Sequence, residues 1–259
     1  MEDLNFRRRL ERKGVLIGTQ CFTGNPAIVE ILGHAEWDWV SLDMEHATTD
    51  YRHVEHLVRA ASCSGITPLV RVAENSPLLI SKALDTGAAG VIVPHISSPA
   101  DLLQAVAATL YPPQGVRGAC STTRATGYGD EPWKDYVTRA NAGVVVVPLI
   151  EDKQGIDAFD ALLAVANVPV YWIGITDLTV SLGYPGADFW HPALADIARS
   201  LNARAAQQGR ELMVAAAPHL RPDYIRHLVS LGFRLISIGT DLSFYRQAVL
   251  SMGRELRQG

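Results

Sequence analysis

The chain has 259 residues, 48% of them hydrophobic and 19% charged, which is enough apolar material for one large core and rules out wholesale disorder. Its formal net charge is −4 with no basic stripe, which argues against nucleic acid as a partner and leaves room for a small anionic substrate. No apolar run is long enough to span a membrane, and the charged opening MEDLNFRRRLERKG lacks the apolar stretch a secretory signal needs. Cys21, Cys63 and Cys120 are scattered, odd in number and without metal spacing, as expected of reduced thiols in a cytoplasmic protein.

Strand-like and helix-like segments alternate along the whole length. A strand at 14–21 leads to a helix at 26–35, with Asn25 as its cap and Pro26 at its first position. A strand at 37–43 precedes a helix at 51–62, and one at 67–72 precedes a helix at 77–85 that opens on Ser76-Pro77 and stops near Gly87. The fourth unit pairs 90–96 with 99–110. The later units pair 144–151 with 155–165, 168–175 with 192–207, 211–217 with 222–231, and 233–239 with 242–257. Several strands are nearly continuous in Val, Ile and Leu, as parallel strands covered on both faces require.

Eight such alternations predict a closed α/β (β/α)₈ TIM barrel occupying 1–259 as a single domain. The alternative, a doubly wound open sheet, lacks any GxGxxG or GxxxxGK[ST] after the first strand. Residues 111–143 break the rhythm with PPQGVRG, the polar CSTTRATGYGDE and a short helix at 133–142. An insertion of that length serves either as a lid or substrate loop, or as a surface excursion that makes subunit contacts.

In such a barrel the chemistry gathers at the C-terminal ends of the strands. There stand Asp43, Glu45 and His46 after strand two, Arg71 after strand three, His95 after strand four, Glu151 after strand five, Asp177 after strand six and Asp241 after strand eight. Asp177 and Asp241 each also read as a helix N-cap, and for Asp241 that reading is preferred. Glu151 and Asp177 end adjacent strands, which run about 4.8 Å apart, so the two carboxylates can share one divalent ion. Carboxylates completed by water suit Mg²⁺ or Mn²⁺, and the lack of Cys ligands argues against structural zinc.

His46 is either an ordinary loop histidine or a proton carrier whose tautomer a neighbouring carboxylate fixes. Arg71 offers a fixed fork-shaped cation for a carboxylate or a developing enolate oxygen. Together these groups suit enolate chemistry on a 2-oxo acid. No lysine ends a strand, which disfavours a Schiff-base aldolase.

The motifs WDWVSLDMEHATTD, PLVRVAENSPLLISKALDTGA, VIVPHISSPADLLQAV, YPPQGVRG, LIEDKQGIDAFDALL, WIGITDLTVSLGYPG and FRLISIGTDLSFYRQA follow one another across nearly the whole chain. In this order the sequence resembles the HpcH/HpaI aldolases, metal-dependent class II pyruvate aldolases acting on 4-hydroxy-2-oxo acids. The resemblance implies a barrel whose last helix is exchanged between paired subunits, in a homo-oligomer that is commonly a trimer of dimers. By position it makes His46 the catalytic base, Arg71 the arginine that stabilises the transition state, and Glu151 and Asp177 the ligands of Mg²⁺, Mn²⁺ or Co²⁺. It makes Thr176, beside Gly174, the residue whose backbone N–H meets the substrate carboxylate, with Glu45 nearby. Asp85, in LDTG, matches an acid that raises the basicity of the histidine. Because Asp85 follows helix three, that histidine belongs to a neighbouring subunit, and Asp43 is the nearer acid within the chain.

Three positions depart from the family pattern. Leu149 stands where Gln usually precedes the metal-binding Glu, GITD replaces the commoner Gly-Pro-(Ala/Ser)-Asp, and Gln20 replaces a frequent Trp. The expected activity is cleavage or formation of a 4-hydroxy-2-oxo acid through a pyruvate-type or hydroxypyruvate enolate, with an aldehyde as the other partner. An oxaloacetate decarboxylase or enolate-capturing enzyme on the same site is the alternative, and a non-catalytic binding barrel is a third reading.

Overall fold

In the computed structural model, which describes residues 6–11, 14–216 and 220–258, eight parallel strands close into a barrel in chain order. They are β1 (Leu16–Cys21), β2 (Trp39–Asp43), β3 (Thr67–Arg71), β4 (Gly90–Val93), β5 (Val145–Ile150), β6 (Val170–Ile173), β7 (Glu211–Ala215) and β8 (Leu235–Thr240), with β8 paired back to β1. The last residue predicted for strand seven, Ala217, lies outside the described residues, as do 1–5 and 12–13 of the charged opening.

Each strand is shorter than the apolar run that announces it, for local reasons. Pro94 has no N–H to donate and ends β4 at Val93, three residues before the predicted limit. The next residue, His95, turns away at φ 56. Strand six likewise ends at Ile173, because Ile175–Ser181 forms a short helix where the sequence suggested strand followed by cap.

The outer layer contains α1 (Phe6–Leu10), α2 (Pro26–His34), α3 (Tyr51–Ser64), α4 (Pro77–Asp85), α5 (Pro99–Thr109), α6 (Trp133–Gly143), α7 (Lys153–Asp157), α8 (Phe159–Leu163), α9 (Ile175–Ser181), α10 (Pro192–Gln207), α11 (Pro222–Ser230) and α12 (Asp241–Gln258). Asn25 caps α2 by accepting from the Ala27 N–H at 3.0 Å, and Asp50 caps α3 through His53 at 2.9 Å. The helix predicted at 155–165 is instead two short ones, α7 and α8. Ala158, at φ −84 and ψ 1, separates them, and Asp152 caps the first by accepting from Gly155 at 2.6 Å. Residues 111–143 contain a 3₁₀ turn, Arg124–Gly129, and then α6.

Two apolar layers hold the barrel. One lies between the sheet and the helices; the other fills the interior with Trp39, Leu69, Ile92, Val147, Leu149, Trp172 and their neighbours. Trp39 and Trp172 meet edge to face, with ring centroids 5.7 Å apart. Gly18 makes room for this pair: a Cβ there would stand 2.2 Å from the Trp39 indole. Phe6 of α1, fully buried, joins the interior layer beside Leu16.

Asp241 is the first residue of α12 and not the residue before it. Thr240 and Ser243 bond reciprocally, Ser243 N–H to Thr240 Oγ1 at 3.1 Å and Thr240 N–H to Ser243 Oγ at 2.8 Å, as a capping box does. The Asp241 carboxylate accepts from the Leu242 N–H of the first turn at 2.8 Å and from the Phe22 and Thr23 N–H groups, each at 3.0 Å, and so ties the loop after β1 to the end of β8. Beyond its first turn α12 leaves the barrel surface, with Tyr245, Val249, Met252 and Leu256 all exposed. Among the described residues no helix is long and apolar enough to cross a membrane.

Candidate active site

The strand ends bring Asp43, Glu45, His46, Arg71, Glu151 and Asp177 together at the mouth of the barrel, with His95 among them. Asp43, the last residue of β2, is fully buried and sits in register with Arg71 of β3. Its Oδ2 accepts from both Nε and Nη2 of Arg71. Its Oδ1 accepts from three successive backbone N–H groups, Glu45 at 3.1 Å, His46 at 2.7 Å and Ala47 at 3.1 Å. Asp43 therefore positions His46 through the backbone of its loop, with no contact to the imidazole ring among the described bonds.

Glu45, only 9% exposed in its side chain, faces three cations or potential cations. Its Oε2 lies 3.2 Å from Arg71 Nη1 and 3.7 Å from His46 Nε2, and its Oε1 lies 3.2 Å from His95 Nε2. The 3.7 Å separation is an ion-pair distance and too long for a hydrogen bond. The orientation that the sequence assigns to a carboxylate beside His46 thus comes from Glu45 at longer range, and the ring itself is exposed to solvent.

Glu151 follows β5 directly, and Gly174 follows β6 directly. The Gly174 N–H donates to Ile150 O at 2.9 Å, which sets the two ends side by side. The Glu151 side chain is 6% exposed. Burial, and then the negative charges of Glu45 and Asp177, push its carboxyl above the ordinary carboxylate range, against the opposing effect of His95. Its Oε1 receives the His95 backbone N–H at 2.7 Å and faces His95 Nδ1 at 2.8 Å. Its Oε2 accepts no hydrogen bond among the described residues and lies on the side of Gly174, whose missing Cβ would stand 3.1 Å away.

Asp177 belongs to the first turn of α9, whose N-cap is Gly174, so its carboxylate is not spent on capping. Thr176 occupies the second position of that helix, where a backbone N–H has no carbonyl of its own helix to donate to. Leu149 is buried in the interior layer beneath Glu151. Asp85 lies elsewhere: it closes α4 and pairs with Arg117 Nη2 at 2.8 Å, without contact to His46 in its own chain among the described residues.

His95, which the sequence places after strand four, joins this group. It stands two residues past the end of β4, with its backbone at φ 56 and its ring nitrogens 2.8 Å from Glu151 and 3.2 Å from Glu45.

A buried carboxylate repelled by neighbouring carboxylates, with one oxygen left without a donor, is a donor set that a cation would satisfy. Among the described residues no three His, Cys, Asp or Glu side chains stand together so as to hold an ion by themselves. The residues therefore fit an oxygen-rich ion held by Glu151 and Asp177 and completed by water or substrate oxygens.

Residues 21–248 match the HpcH/HpaI aldolase/citrate lyase family. The chain belongs to that family. It is 32% identical over 243 residues to the 5-keto-4-deoxy-D-glucarate aldolase of Citrobacter koseri, covering 94% of this chain and 92% of that one. The Escherichia coli enzymes of the same name are 33% identical over the same length. A solved HpcH/HpaI aldolase/citrate lyase family protein of Burkholderia cenocepacia, 32% identical, superposes with a TM-score of 0.90 over 98% of this chain and all of that one. The citrate synthase SbnG superposes at 0.86 with 26% identity, covering 99% of each chain. Membership in the family makes this barrel an aldolase or related lyase.

Proposed function

We propose that this member of the family is a divalent-metal-dependent aldolase that cleaves or forms 4-hydroxy-2-oxo acids through a pyruvate-type enolate. The observation that carries this reading is the Glu151 carboxylate, buried beside Asp177 with Oε2 open. A divalent cation held by these two residues would supply a Lewis acid for the carbonyl of a 2-oxo acid and charge to balance its enolate. Arg71, fixed by Asp43 and faced by Glu45, offers a guanidinium to the same developing negative charge. His46 stands at the exposed rim, where its Nε2 takes the proton from the C4 hydroxyl during cleavage and returns it during synthesis. The Thr176 N–H at the start of α9 serves the substrate carboxylate.

The relatives support the substrate class. 5-Keto-4-deoxy-D-glucarate, counted from the carboxylate nearer its ketone, is itself a 4-hydroxy-2-oxo acid. Cleavage of such an acid gives the pyruvate enolate and an aldehyde. The exposed apolar face of α12 supports a homo-oligomer in which a second copy covers this helix. The deciding experiment is pyruvate release from 5-keto-4-deoxy-D-glucarate before and after chelation. Loss of release with EDTA and its return with Mg²⁺, Mn²⁺ or Co²⁺ is the expected result; full release after metal removal overturns the reading.

A second reading keeps the same carboxylates and arginine and changes the bond that breaks. There the same site would take its enolate from oxaloacetate by loss of carbon dioxide and pass it to another acceptor. Carbon dioxide release from oxaloacetate, with no cleavage of hydroxy-oxo acids, favours this second reading over the first.

A further inference from the structure

His95 combines three features that no other described residue at the barrel mouth shares. Its backbone sits at φ 56, a left-handed conformation that costs a residue with a Cβ about 1 kcal/mol or more and persists only where the surroundings hold it. In that conformation its backbone N–H and its Nδ1 both converge on one atom, Glu151 Oε1, at 2.7 and 2.8 Å. The other ring nitrogen reaches the second buried carboxylate, Glu45 Oε1, at 3.2 Å. The ring is itself 67% exposed and lies as a cover over two acids exposed by only 9% and 6%.

Two contacts on the same oxygen stop the Glu151 carboxylate from rotating. One oxygen is fully engaged and the other, Oε2, is turned toward Gly174 and the start of α9, where Asp177 stands. A carboxylate so held can offer an ion only one oxygen. Hydrogen bonds to ligating carboxylates of this kind orient the ligand, and their loss weakens metal binding.

We propose that His95 is a positioning residue of the cation site, which clamps Glu151 by Oε1 so that Oε2 alone is presented. The inference rests on the reading that Glu151 and Asp177 hold a divalent cation, and it goes beyond it by assigning the orientation of the ligand to one ring.

The test is Mn²⁺ binding to the full chain by calorimetry, without substrate, in two variants chosen for the backbone at this position. His95→Gly removes the ring, keeps the backbone N–H on Glu151 and relieves the left-handed strain, so that a binding defect cannot come from misfolding. His95→Asn tolerates the same φ and places an amide N–H where Nδ1 stands, without reaching Glu45. The expected result is a dissociation constant about 10- to 100-fold weaker for His95→Gly, with an unfolding temperature unchanged or higher, and binding restored to within about threefold by His95→Asn. Binding by His95→Gly within about twofold of the unsubstituted protein overturns the role of His95 and leaves the cation site standing. Asparagine binding as weakly as glycine also overturns it. Absence of saturable Mn²⁺ binding by the unsubstituted protein overturns the cation site and this inference together.

Discussion

Asp43 holds the guanidinium of Arg71 with one carboxylate oxygen and the backbone of its own loop, through Glu45, His46 and Ala47, with the other. One fully buried side chain thereby fixes both the cation and the histidine-bearing turn. Asp43→Asn keeps an oxygen for the loop but turns an amide N–H₂ toward a guanidinium that has only donors. Breaking a buried pair this way costs about 3 to 5 kcal/mol, and Glu45, still 3.2 Å from Arg71, holds the loss to the low end. Urea denaturation of the variant should show that loss, together with a fall in turnover; unaltered stability would contradict the paired role.

Gly174→Ala tests the space beside Glu151. The new Cβ would stand 2.9 Å from Glu151 Cβ and 3.1 Å from Oε2, while the glycine's φ of −80 is one that alanine adopts freely. The effect is therefore steric, about 1 to 3 kcal/mol of overpacking directed at the carboxylate proposed to hold the ion. Weaker Mn²⁺ binding with the barrel still folded by circular dichroism is the expected result. Unchanged binding would place the cation elsewhere.

Much of the fold was legible because parallel strands buried on both faces write themselves as apolar runs, and Pro or Ser at helix starts punctuates them. What was not legible came from tertiary context. Nothing in ITDLTVS distinguishes the end of a strand from a seven-residue helix until Ile173 ends the pairing. Asp241 has the form of a cap in one dimension; in three it also serves the Phe22–Thr23 backbone. Within the site, Asp43, Arg71, Glu151 and Asp177 could be named because charge at the end of an apolar strand has few structural uses. His95 could not be ranked above other histidines from sequence, since its contacts depend on a backbone angle and on two carboxylates, Glu45 fifty residues before it and Glu151 fifty-six after it.

Burial first and the Asp241 carboxylate second push the Cys21 thiol up to about 12 from an ordinary 9.0. Below pH 9 the thiol is neutral in both folded and unfolded chains and contributes nothing to pH dependence. Between 9 and 12 only the unfolded chain ionises, so stability is lost as pH rises through that window, by about 1 kcal/mol at pH 10. Urea titrations at pH 8 and pH 10 should show this loss in the unsubstituted protein and a smaller one in Cys21→Ala. Equal losses would contradict the assignment.

The free face of α12 sets the oligomer prediction. Tyr245, Val249 and Leu256 are exposed by 72%, 52% and 76%. Covered by a second copy, they bury apolar area worth about 25 cal/mol per Å². Tyr245→Glu should therefore shift the native mass toward the monomer. An unsubstituted protein already monomeric at micromolar concentration would contradict the shared helix.

The central claim is that Glu151 and Asp177 hold an ion that makes an enolate. The most direct measurement is exchange of the pyruvate methyl protons in D₂O, followed by proton NMR with Mg²⁺ and no aldehyde present. Exchange that requires both protein and Mg²⁺, stops on chelation, and is absent from Glu151→Gln is the predicted result. Exchange that continues undiminished without the metal, or in Glu151→Gln, would contradict the account.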